Sequence, residues 1–157
     1  MLLTLKWDEA RGALPLESIW EVVRLGENGD EALQSVPQMR VSLAGMLMRR
    51  SYAVPVFDPR RWKGFFEHVP KIRGQYAVLL QTEDSLDGLL AQEVGILSAF
   101  ERLTDFAQAE TRNATGLGKR FVDSAVRGER AVWALLSVSR LARAMHGELD
   151  PPSKENS

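Results

Sequence analysis

Apolar residues along the chain fall into short runs parted by polar or glycine-bearing turns, the layout of a β-rich domain. Leu2, Leu3, Leu5 and Trp7 open it, a turn is expected over Asp8 to Gly12, and Ala13-Leu14-Pro15-Leu16 resumes the apolar character. That turn exceeds the two-residue kind and fixes no register. Ile19, Trp20, Val22, Val23 and Leu25 follow as a helical turn feeding a strand, and Gly26 to Asp30 has the composition of a loop. Val41 to Arg50 shows no clean period. Tyr52 to Phe57 is the clearest strand of the chain, with Pro55 suited to an edge or a bulge, and Asp58-Pro59 closes it. Tyr76 to Leu80, the polar turn Gln81 to Asp87 and Gly88-Leu89-Leu90 have the shape of a hairpin. Phe121 to Val126, Arg127 to Arg130 and Ala131 to Leu136 repeat that shape.

Two segments carry a helical period instead. Leu135, Val138, Leu141, Ala142 and Met145 recur at helical steps and end at Gly147, a helix stop. Leu86, Leu89, Leu90, Val94, Leu97, Phe100, Leu103 and Phe106 recur likewise, but Gly88 and Gly95 lie inside the pattern, and each costs about 1 kcal/mol in a helix interior. Periodicity alone leaves this second segment open.

Composition narrows the functional classes. A chain of 157 residues, 45 % hydrophobic and 26 % charged, suits one globular domain with a substantial core. Cysteine is absent, which removes disulfides, thiolate metal sites and a thiol nucleophile. A net charge of −1 supplies no overall positive field toward nucleic acid or an anionic membrane. Met1 to Leu5 is too short for a signal-peptide core and no apolar run approaches a membrane span, so a soluble, cytoplasmic protein is expected. The polar tail from Asp150, with two prolines, is expected to fray.

Candidate chemistry is sparse. His68 and His146 have no carboxylate or second imidazole at ligand spacing, so neither metal nor cofactor is expected. Gly116-Leu117-Gly118-Lys119 lacks the first glycine of a phosphate loop, and Arg120 replaces its Ser/Thr; a flexible connector is expected there. Glu83, Asp84 and Asp87 read as solvated acids of a turn. Arg60-Arg61-Trp62-Lys63 with Phe65 and Phe66 holds the ingredients of a single-strand nucleic-acid platform, but Trp62 and Phe65 packed inward is the stronger expectation. Arg49-Arg50 is a second cation pair, placed at a strand entrance.

The order of the pieces resembles the CheW-type chemotaxis coupling family over about residues 1 to 145. The opening run through Ile19-Trp20-Glu21-Val22-Val23 is similar to the family's first block, an apolar strand ending Val-x-Glu-Val or Val-x-Glu-Ile. Gly45-Met46-Leu47-Met48-Arg49-Arg50-Ser51 followed by Tyr52 to Asp58 resembles its most specific block: a glycine, two apolar residues, Asn-Leu-Arg-Gly, then a strand with Pro-Val and Asp. Asp87 to Val94 resembles the hairpin ending Gly-Leu-Leu-Val-Asp-x-Val, and Val126 to Leu141 the closing hairpin and helix. Met48, Arg49 and Ser51 depart from the family's Asn, Leu and Gly.

The resemblance implies an all-β fold of two joined five-stranded SH3-like barrels with a C-terminal helix, in a domain over residues 1–146 followed by a tail, 147–157. It implies strand for Gly88 to Val94 and a connector holding a turn of helix for Leu97 to Phe106. It also implies a non-enzymatic adaptor that couples the cytoplasmic tip of a chemoreceptor to the regulatory domain of a CheA-type histidine kinase. Arg50 matches the family's receptor-binding arginine and Glu21 its glutamate, with Met48, Arg49 and Ser51 on the same surface. The departures also fit a barrel that keeps one partner, in a motility or pilus pathway or as a branch or decoy component.

Overall fold

The structure, a computed structural model, describes residues 1–26, 32–37, 41–103 and 115–147. These residues form strands β1 (Leu2–Trp7), β2 (Ala10–Pro15), β3 (Ile19–Arg24), β4 (Leu43–Arg49), β5 (Tyr52–Phe57), β6 (Tyr76–Gln81), β7 (Leu86–Ala91), β8 (Glu93–Leu97), β9 (Glu101–Leu103), β10 (Val122–Arg127) and β11 (Val132–Leu136), then helix α1 (Val138–Met145). Six strands make one sheet in the order β8-β1-β2-β11-β10-β9, and five make a second in the order β3-β6-β7-β5-β4. The chain starts in the first sheet, builds all of the second and returns. One sheet thus holds both ends of the described chain. The expected all-β, CheW-like architecture is present, with two refinements: the first sheet has six strands, and among the described residues neither sheet closes into a barrel by a continuous ladder.

Alternation assigns the side chains to three cores. On β1, Leu3, Leu5 and Trp7 enter a large cluster shared by both sheets, with Leu2 in a smaller one inside the first sheet. On β6, Val78 and Leu80 face the shared core while Ala77 and Leu79 face the interior of the second sheet. β7 divides in the same way between Leu89 and Leu90. Strands buried on both faces read as continuous apolar runs rather than as alternations. Trp7 Nε1 donates to the Leu90 carbonyl at 2.7 Å, a buried hydrogen bond from one sheet to the other. Leu141, Ala144 and Met145 of α1 complete the shared core.

Several local expectations are corrected. The first turn is the two-residue Asp8-Glu9, because Trp7 pairs with Ala10. Arg11 and Gly12 belong to β2, where the Arg11 Nε donates to the Val132 carbonyl at 3.0 Å. The helical period over Leu86 to Leu103 is not a helix: three strands occupy it, and Glu101–Leu103 pairs with β10 where a connector was expected. Phe106 lies outside the described residues, as do most of the Gly26–Asp30 loop and the tail from 148 onward. Leu135 belongs to β11, and α1 begins after Ser137, whose hydroxyl accepts from the Arg140 amide. The missing period of Val41 to Arg50 has a cause in a register shift between Leu43 and Gly45, which sends neighbouring side chains to one face. Gly116 to Lys119 is no surface connector. Leu117 is fully buried and bridges Phe66, while a Cβ on Gly118 would lie 2.1 Å from the Gly64 carbonyl oxygen. These glycines serve close packing.

A candidate docking site at the tip of the second sheet

β3 and β4 are the two outer strands of the second sheet, and β4 turns into β5 through Arg50 and Ser51 alone, since Arg49 pairs with Tyr52. Both turn residues have positive φ, 51° for Arg50 and 78° for Ser51. That is the type I′ geometry whose twist matches the flanking strands, and it favours glycine or asparagine. Serine therefore keeps the turn of the family's Arg-Gly pair in a conformation that disfavours it. Gly45 seats the other end of β4: a Cβ there would lie 2.9 Å from both the Gln34 carbonyl oxygen and the Leu33 Cβ. Pro55 sits in the half of β5 that pairs with β4 alone, because the ladder to β7 involves only Val56 and Phe57.

A second register shift, between Ile19 and Glu21 on β3, brings Trp20 and Glu21 toward this turn. An Arg49 Nη2 donates to Glu21 Oε2, joining the outer strands through side chains. Arg50 Nη2 stands farther off, 3.9 Å from Glu21 Oε1, which is buried and makes no hydrogen bond. Instead, the Arg50 guanidinium lies over the Trp20 ring, 4.8 Å from its centroid. Tyr52 meets the same indole edge to face at 6.0 Å. Exposure separates roles within the cluster: the side chain of Glu21 is 19 % exposed and that of Arg50 67 %. Met48 and Tyr52 are large apolar side chains open to solvent beside Arg50.

All five residues expected on this surface, Glu21, Met48, Arg49, Arg50 and Ser51, thus lie on β3, on β4 or in the turn after it. Trp20 and Tyr52 were not singled out from sequence. Their signal was an aromatic next to each matched block, which alternation alone would have assigned to packing. A groove of about 410 Å³ begins at these two rings and runs past Val54 to the β6–β7 turn, where Glu83 and Asp84 are exposed.

The other candidate residues are committed elsewhere. Trp62 and Phe65 are buried in an aromatic cluster with Phe57 and Phe121, so the basic segment Arg60 to Lys63 presents neither ring for base stacking. Asp58 caps the short 3-10 helix Pro59–Arg61 and binds Arg60 through both carboxylate oxygens. Hydrogen bonding and charge from Asp58 outweigh desolvation and hold the Arg60 guanidinium above its ordinary pKa. Asp87 is buried rather than solvated, accepting from the Ser85 hydroxyl at 2.6 Å and lying 3.2 Å from His146 Nε2. Ser85, Asp87 and His146 are not arranged as a nucleophile and its base, because the serine donates to the carboxylate. No helix of the described residues is long and apolar enough to cross a membrane.

A search of curated proteins by sequence finds no match. Among solved structures, the chain is similar to the scaffolding protein TtCheW from Thermoanaerobacter tengcongensis. The TM-score is 0.65 at 14 % identity, covering 87 % of this chain and 88 % of that one. The family model described as the CheW-like domain matches residues 1–145, nearly the whole described fold, with both sheets and the closing helix inside it. On that match, and on two sheets joined through one core, the chain belongs to the CheW-like domain family.

Proposed function

We propose that the chain is a non-enzymatic adaptor of a chemosensory signalling array, coupling the cytoplasmic tip of a chemoreceptor to the regulatory domain of a CheA-type histidine kinase. The observation that carries this reading is the Arg50 turn. On a CheW-like fold, the position matching the family's arginine is a solvent-facing guanidinium with Trp20, Tyr52 and Met48 around it. A planar guanidinium binds carboxylates in a fixed fork, and exposed apolar side chains beside it add contact area. In this reading Arg50 and Met48 touch the receptor, Ser51 shapes the turn, and Arg49 and Glu21 orient it.

Titration calorimetry tests both arms. A receptor cytoplasmic fragment and a kinase regulatory domain from the same genome are expected to bind separately, with affinities of micromolar order for interfaces of ordinary size. Arg50→Glu is expected to weaken receptor binding at least about tenfold, since it replaces an attraction with a repulsion, and to leave kinase binding and thermal unfolding unchanged. Receptor binding at wild-type strength in that variant would remove the turn from the reading. The departures at Met48, Arg49 and Ser51 favour a second reading, a family member that keeps only one partner, and saturation by one titrant but not the other would select it.

A further inference from the structure

Glu21 has two arginines within reach and is hydrogen-bonded by one. Arg49 stands where the family block has leucine, so this chain carries one more cation at the turn than the block requires. We propose that Arg49 is a positioning residue that occupies Glu21 and thereby leaves Arg50 free, held over Trp20, to receive a carboxylate side chain of the partner. The inference rests on the reading of the Arg50 turn as a docking site.

The geometry separates the two cations. Arg49 is mostly buried and engages Glu21 Oε2; Arg50 is exposed and 3.9 Å from Oε1. A half-buried carboxylate stripped of its counter-ion draws the nearest remaining cation, because leaving the charge unpaired is costly. Without Arg49 that cation is Arg50, which must leave the indole face and turn inward to pair. With Arg49 present, Glu21 is neutralised and the turn carries one surplus positive charge. Stacking on Trp20 fixes the guanidinium plane while its edge donors stay available to a planar acceptor. Met48 and Tyr52 border the same spot, so the fitting group is an acidic side chain flanked by apolar ones.

The test is a rescue experiment on the full chain, titrated with the receptor cytoplasmic fragment by calorimetry and checked for folding by thermal unfolding. Arg49→Leu is expected to weaken binding about tenfold, the size of a coupling between contacting residues. Adding Glu21→Gln to that variant removes the carboxylate that captures Arg50 and is expected to restore binding to within about threefold of wild type. Rescue is the readout a purely structural clamp would not give, because the double variant still lacks the β3–β4 ion pair. Equal weakness of the single and double variants, with wild type binding and Arg50→Glu not, would overturn the positioning role alone. Absence of wild-type binding, or full binding by Arg50→Glu, would overturn the docking reading and this proposal with it.

Discussion

Ser51 holds φ at 78°, where a side chain clashes with its own backbone and glycine does not. Ser51→Gly is therefore expected to stabilise the protein by about 1 kcal/mol, roughly 2 to 4 °C in Tm for a chain of this size. Thermal unfolding checks it, and an unchanged or lower Tm would show that the serine is not strained. Asp58 works in the opposite sense, because its buried carboxylate both caps a helical turn and pairs with Arg60. Asp58→Ala is expected to cost roughly 2 to 3 kcal/mol in denaturant unfolding. Since Asp58 raises the Arg60 pKa, the stabilisation from that shift is complete below arginine's ordinary value. It is lost only as pH rises through the raised one, so this shift adds no slope to stability near neutrality. At this scale the block around Arg50 made that residue legible in sequence. Asp87 and His146, 59 positions apart, were not, because no local pattern reports a contact made by folding.

Strands were legible where one face is buried and the other wet. They were obscured where both faces are buried or where the register shifts. β7 and β8 supplied leucines at helical steps because β7 feeds two cores at once, and Gly88, whose added Cβ would lie 2.9 Å from Val56 Cγ2, was the local sign against a helix. The shift between Leu43 and Gly45 erased the alternation of β4 in the same way. Gly45 admits the close approach of the Leu33-Gln34 backbone, which bridges to Met46. Gly45→Val is expected to destabilise by about 1 to 3 kcal/mol through overpacking and to displace the Arg50 turn, weakening receptor binding with it. Full stability of that variant would mean that Leu33 and Gln34 yield without cost.

Two sheets that share a core behave as one body, so the turn of the second sheet is carried rigidly with the first. This suits an adaptor, whose task is to hold two partners in a fixed relation. The joined arrangement was expected from the family resemblance rather than from periodicity, because the pairing of β1 and β2 with β8 and β11 spans nearly the whole chain. Exposed Ile96 on β8, at the outer edge of the first sheet, lies on a different sheet from Arg50. The molecule thus has room for contacts on both. Coupling itself is the central claim, and co-sedimentation tests it most directly: membrane-anchored receptor fragments are spun down with the kinase regulatory domain, with and without this chain. The account predicts that the kinase domain pellets only when the chain is present, and that Arg50→Glu abolishes the effect. Kinase in the pellet without the chain, or none with it, would contradict the account.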